Sequence, residues 1–385
     1  MSGAPRIAFP LAVTFAIQAL VAFAVYCAPV MAPVAGPALG VPASAVGYYI
    51  AASYLGSMLG SAAAGGWVAR FGPIRVSQVA LALCFLGLSL AASGASLWLV
   101  ALGGFVVGVG YGPTTPASSS ILVRTPPRYF SLIFSIKQTG VPAGGALAGA
   151  LVPGLILAFG WQWSAVAIGG VRARYDRELD PRAPVSLRSA LAPVGLALRE
   201  PRLRRMCVAG FVYGGVQITL VTYLVTFLVE SYGLSLVLAG LVMAVAQIAS
   251  VTGRVVWGIL ADRAFRRRTM LGLLGLGMGV SALAALAASP SWPTWLLFAY
   301  ASVFGATAVG WNGVFLAEVA RLAPEGRASA ATGGALFFTF LGVVVTPPLF
   351  NVVLALSGSY ATAYAVFALP ALAVGAWLLA RIPVR

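Results

Sequence analysis

A stretch of about twenty apolar residues recurs along almost the whole of this chain, and that repetition restricts its folds more than any other feature. A helix needs about 20 apolar residues to cross a hydrocarbon core about 30 Å thick. Eleven runs come near or exceed that length: 9–31, 47–68, 76–93, 97–122, 130–158, 206–229, 239–260, 270–288, 295–315, 328–357 and 364–379. None alternates polar with apolar residues, so a lipid-facing β-barrel is not expected. Only 8% of the 385 residues are charged, against about 25% in a soluble domain. Lipid must therefore solvate most of the surface. The first run, 9–31, is too long for a signal-peptide core and reads as a first span. The expected class is an all-α integral membrane protein.

The net charge of +16 does not point to nucleic acid, because the basic residues cluster in alternate loops. All but Lys137 and Arg254 fall at Arg6, at Arg70 and Arg75, at Arg124 and Arg128, in the nine arginines from Arg172 to Arg205, from Arg263 to Arg268, at Arg321 and Arg327, and at Arg381 and Arg385. The intervening loops 36–46, 94–96, 160–163, 289–294 and 358–359 carry no Lys or Arg. Cytoplasmic loops collect these residues, which predicts a multi-pass protein of the cell inner (cytoplasmic) membrane with both termini cytoplasmic. Cys27, Cys84 and Cys207 lie inside apolar runs with no metal-ligand spacing, and there is no histidine. No catalytic constellation, metal site or cofactor motif is legible, and no nucleotide-binding loop that could drive a pump. The chain is not expected to be an enzyme.

Residues 172–205 form the longest polar stretch and divide the chain into an N-terminal bundle, 1–171, a cytoplasmic linker, 172–205, and a C-terminal bundle, 206–385. The halves look related: Gly65 to Arg75 follows the second run as Gly258 to Arg268 follows the run at 239–260, and Gln18 is matched by Gln217. Repeated halves are a transporter architecture. Charge bookkeeping places 124–128 and 172–205 on one side, so an even number of crossings must fit into 130–171, which is 42 residues. Either two spans are compressed, near 130–150 and 154–171, or the sixth is short or missing, which would leave an impaired protein.

These residues resemble the major facilitator superfamily. The signature between its second and third spans, and again between its eighth and ninth, is matched by Gly258 to Arg268 with Asp262 and Arg263 in place. It is matched less fully by Gly65 to Arg75, where Ala69 stands for the aspartate. Gly160-Trp161 and the turn from Arg321 to Arg327 also look like the family, and Gly140 to Gly149 resembles a glycine-proline motif of its exporters with altered spacing. The resemblance implies two pseudo-symmetric six-helix bundles, nominally twelve membrane helices, around a central cavity worked by alternating access. It also implies that Gly258, Asp262, Arg263 and Arg267, with Gly65 and Arg70, form conformational latches, Asp262 pairing with arginines and a helix N-terminus. A monomer is the family's default. Arg263 to Arg268 also suit topology and anionic lipid.

Lys137 is the only lysine and lies nine residues past Arg128, about 13 Å up a helix and near the bilayer midplane. An ionisable group at that depth is a functional candidate because its charge is costly in hydrocarbon; from there snorkelling to the headgroups is difficult. Arg254 lies eight residues before Asp262, about 12 Å in, where a substrate role and a structural pair are equally open. The eight acidic residues are Asp176, Glu178, Asp180, Glu200, Glu230, Asp262, Glu318 and Glu325, none placed at mid-membrane by the run boundaries. A cavity with a lysine and no carboxylate should attract an anion. Gln18 and Tyr26, Thr114, Thr115 and Ser118, Tyr213, Gln217 and Tyr223, and Trp311 and Asn312 are the candidate polar and aromatic lining residues. The expected function is secondary transport of a small organic or inorganic anion, by symport with protons or by exchange for another anion. A carrier of neutral or amphipathic compounds with Lys137 structural, and a non-transport membrane protein, are the alternatives.

Overall fold

The computed structural model describes residues 4–40, 46–93, 96–123, 129–145, 147, 187–234, 236–288 and 292–380. Among them every regular element is a helix and none is a strand. In chain order these are α1 (Ala4–Ala38), α2 (Val46–Phe71), α3 (Pro73–Ala92), α4 (Leu97–Leu122), α5 (Phe130–Gln138), α6 (Leu187–Arg199), α7 (Pro201–Tyr232), α8 (Leu236–Arg263), α9 (Arg267–Ala284), α10 (Thr294–Ala308), α11 (Asn312–Leu322), α12 (Ala328–Ser357) and α13 (Tyr360–Leu379). The compressed or missing sixth span expected within 130–171, with Gly160-Trp161, lies largely outside the described residues. The linker contains α6.

Eight segments among the described residues are long and apolar enough to cross a membrane: those of α1, α3, α4, α7, α8, α10 with α11, α12 and α13. The apolar runs at 47–68 and 270–288 also fold as helices, α2 and α9, but glycines and serines in α2 and arginines at the start of α9 dilute their hydropathy. Those small residues have a packing purpose. A Cβ added at Gly60 would lie 2.7 Å from Val109 O, and one at Gly104 would lie 2.8 Å from Tyr49 O, so α2 and α4 meet backbone to backbone. In a bilayer, apolar area gives helices little reason to associate, and close approach of small residues supplies the attraction instead. The turn from α2 into α3 uses Gly72 at φ 83°, with Pro73 at the first helical position, a backbone that a side chain would strain.

The chain forms two compact units, each discontinuous in sequence. Unit 1 comprises the described residues of Met1–Thr125, Lys137–Arg204 and Val319–Phe340; unit 2 comprises those of Pro126–Ile136, Arg205–Glu318 and Leu341–Arg385. Unit 1 therefore includes the start of α12, and unit 2 includes most of α5.

Candidate functional site

Within unit 1 the sequence places one cation among neutral partners. Lys137 is 1% exposed, and its Nζ donates to Gln18 Oε1 at 2.6 Å, Gln138 Oε1 at 2.9 Å and Thr115 Oγ1 at 3.1 Å. Thr115 Oγ1 also donates to Gln18 Oε1 at 3.0 Å. An ammonium has three N–H donors, and all three are used. No carboxylate among the described residues pairs with it.

Glycines set this register. A Cβ at Gly140 would meet Phe15 O at 2.9 Å and Gln18 Cβ at 3.1 Å, and one at Gly144 would meet Ala22 Cβ at 2.7 Å. The helical stretch 140–145 that follows Lys137 thus lies directly on α1, which brings Lys137 to Gln18 although 119 residues separate them. Gln18 is itself 1% exposed, and its Nε2 has no hydrogen-bond partner. A buried donor left unmet costs about 1–3 kcal/mol.

Unit 2 holds a second polar cluster. Gln217 on α7 accepts at Oε1 from Trp311 Nε1 and from Asn312 Nδ2, both at 3.0 Å. The apolar run at 295–315 is not one continuous helix, because α10 ends at Ala308 and α11 begins at Asn312. A helix end leaves carbonyls without intrahelical partners. Here Trp257 Nε1 donates to Ala306 O at 2.8 Å, while Arg254 Nε and Asn312 Nδ2 donate to Val309 O at 3.2 and 3.3 Å. Arg254, 3% exposed, so helps close the break. Tyr213 is packed edge-on to Trp311 with its hydroxyl donating to Leu271 O at 3.0 Å.

The remaining lining candidates are dispersed. Tyr223 stacks on Phe350 and donates to Pro347 O at 3.1 Å. Tyr26 is half-buried against the cluster of Val21, Phe23 and Val107. Thr114 and Ser118 donate to carbonyls three residues back on α4. Glu318 is buried at 4% exposure on α11, six residues beyond Asn312.

The second signature motif forms a corner of unit 2. Asp262, its side chain 2% exposed, accepts from the first-turn backbone N–H groups of α5: Ser131 N at 3.1 Å and Leu132 N at 2.9 Å. Arg267 Nη2 pairs with Asp262 Oδ1 at 2.9 Å, its Nε donates to Ser131 Oγ at 2.6 Å, and its guanidinium lies 5.3 Å from the centre of the Phe130 ring. A carboxylate capping a helix N-terminus meets both orphan N–H groups and the helix dipole. Gly258 lets α5 in: a Cβ there would lie 2.6 Å from Ser135 Oγ and 3.1 Å from Leu132 Cα. Arg263 is exposed and outside this arrangement. In unit 1 Gly65 packs against Ala330, while Arg70 lies over the Phe71 ring at 5.4 Å.

Sequence reading alone did not single out Gln138, Ser131, Phe130 or Trp257. Adjacent residues on a helix do not face one another, so nothing in spacing paired Gln138 with Lys137.

A sequence model described as Major Facilitator Superfamily matches residues 14–347. Among curated proteins, the chain is 25% identical over 343 residues to a probable sulfoacetate transporter, SauU, of Cupriavidus necator, covering 77% of this chain and 75% of that one. It is 27% identical over 259 residues to the MFS-type transporter opdF of Penicillium oxalicum, covering 63% and 58%. Among solved structures, the E. coli fucose:proton symporter FucP aligns with TM-score 0.74 at 17% identity over 97% of this chain and 98% of its own. The proton:xylose symporter XylE, bound to 6-bromo-6-deoxy-D-glucose, aligns with TM-score 0.65 at 16% identity over 97% and 96%.

Proposed function

The chain belongs to the Major Facilitator Superfamily, as a multi-pass membrane transporter that moves a small solute by secondary transport, and from that premise we propose that the solute is a small anion. The observation that carries this reading is the Lys137 ammonium, buried and neutralised by no carboxylate among the described residues, with Gln18, Thr115 and Gln138 as its partners. Neutral acceptors solvate a buried charge without cancelling it, and an anion lowers its cost. The relative from Cupriavidus necator supports the reading, since sulfoacetate carries a sulfonate and a carboxylate.

The transport cycle is alternating access, with bundles 1–171 and 206–385 joined by the linker. Asp262 and Arg267 hold α5 in one state of that cycle. The loop charges support the cytoplasmic membrane, with both termini inside. The driving force is proton symport or exchange for a second anion. A second reading has Lys137 as a purely structural tie and a neutral substrate; the full use of its three donors favours it.

Uptake into proteoliposomes decides between them, with wild type and Lys137→Ala compared over radiolabelled carboxylates, sulfonates and inorganic anions. The anion reading expects Lys137→Ala to lose uptake to background. Normal anion uptake by Lys137→Ala shows that Lys137 is a structural tie and not the substrate's counter-charge, and a folded wild type that takes up none of these anions overturns the anion reading and leaves the neutral substrate. Adding a proton gradient, then an internal unlabelled anion, separates symport from exchange.

A further inference from the structure

Of the described polar atoms around Lys137, Gln18 Nε2 is the one that is buried and unpartnered. Its orientation is not arbitrary. Gln18 Oε1 accepts from Lys137 Nζ and from Thr115 Oγ1, and an ammonium has no acceptor to offer. Turning the amide over would set N–H donors against that cation, so the network fixes which end is oxygen. The stem is held as well, with Gly140 packed against Gln18 Cβ and the neighbouring Phe15 carbonyl. The result is a fixed pair of N–H groups beside a positive charge that no carboxylate among the described residues balances. An unmet buried group in a native protein calls for a water, an ion or a functional role. Both the unmet donor and the charge call for an acceptor that is itself negative.

We propose that Gln18 is a direct substrate ligand, its amide nitrogen donating to an oxygen of a carboxylate or sulfonate whose charge is balanced by Lys137. This rests on the anion reading and narrows it from anions in general to oxyanions. An oxyanion with two or more oxygens can accept from Gln18 and set another oxygen near the ammonium, taking the place of one of its three neutral acceptors. A halide has one atom to share between them. Gln18 therefore sets selectivity for oxyanions, and Lys137 sets the requirement for negative charge.

The test uses purified full-length protein, with uptake and ligand-induced thermal stabilisation measured for oxalate, sulfoacetate and chloride. Two variants are compared with wild type. Gln18→Met removes the donor and the acceptor. Gln18→Glu keeps an acceptor for Lys137 and Thr115, and so keeps the packing, but has no N–H. A lost hydrogen bond to a charged group predicts an oxyanion KM raised about ten- to a hundredfold in Gln18→Met, with any chloride response unchanged, and no oxyanion stabilisation in Gln18→Glu. Oxyanion KM values equal to wild type in Gln18→Met overturn the assignment while leaving the anion reading intact. Equal weakening for oxyanions and chloride also overturns it, because Gln18 would then act through Lys137. A wild-type protein that binds and moves none of the three overturns the anion reading and this assignment together.

Discussion

Two corners of the molecule share one backbone plan and differ in chemistry. In unit 2 Gly258, near the end of α8, lies against the N-terminal part of α5; in unit 1 Gly65, near the end of α2, lies against the first turn of α12 and also against Pro193 of α6. A Cβ at Gly258 would come within 3.1 Å of Leu132 Cα, and one at Gly65 within 2.9 Å of Ala330 Cα, so the approach is alike. Four residues beyond the glycine stands Asp262 in one corner and Ala69 in the other, and five beyond that Arg267 and Ile74. Acid and arginine are present together or absent together. Arg267 donates to Ser131 Oγ, whereas the hydroxyl of Ser329, in the first turn of α12, is buried without a partner. Close helix packing at these corners therefore requires the glycine and not the ion pair. The pair adds a polar clasp to a contact that stands without it, and a half-made pair would leave a charge buried and unmatched.

The comparison breaks most severely at Asp262. Asp262→Ala strands two backbone donors and leaves Arg267 facing an apolar side chain. Transport should fall at least about tenfold and stability by about 2 kcal/mol, in keeping with the loss of a helix cap. Arg267→Met should cost less, and the double variant less than the sum, with a coupling of about 1 kcal/mol in a double-mutant cycle of thermal unfolding. Additive losses would show that the two side chains act independently.

Building the missing clasp is the next test. Ala69→Asp with Ile74→Arg should raise the melting temperature by a few degrees, equivalent to about 1 kcal/mol, and slow transport severalfold by adding a second tie to release in each cycle. Ile74→Arg alone should destabilise, because Ile74 is buried at 5% exposure and the charge would lack its acid. Unchanged stability in the double variant would show that the two corners are not equivalent. The smallest effect is expected at the serines. Ser131→Ala should cost about 1 kcal/mol through its lost bond to Arg267, while Ser329→Ala should be neutral or slightly stabilising, since no partner is lost. Chemical denaturation of the paired variants measures the difference.

Much of this was legible before any coordinates. Most apolar runs coincide with helices to within about five residues at each end, since hydrocarbon imposes both a length and an internally hydrogen-bonded backbone, but α1 extends seven residues past the run at 9–31 and the run at 130–158 is described only in part. The unbroken reading of 295–315 missed the break after Ala308, which carries no proline to announce it and depends on Trp257, Arg254 and Asn312 to take up the carbonyls. Arg263 and Arg267 looked interchangeable as latch arginines. The turn at 264–266 separates them: Arg263 ends α8 in solvent and Arg267 begins α9 facing Asp262.

By itself, then, the sequence determined that this is a helical membrane protein with a lone lysine inside an apolar run and a single complete acid–arginine motif, because burial of charge is an energetic statement readable from composition and position. Tertiary structure decided the company those charges keep. Gln18, Thr115 and Gln138 became the partners of Lys137 only through the glycine-mediated approach of 140–145 to α1, and Asp262 found its N–H groups on a helix 130 residues away. Helical periodicity governs neighbours three and four residues apart and carries no information across such distances; packing alone supplies it.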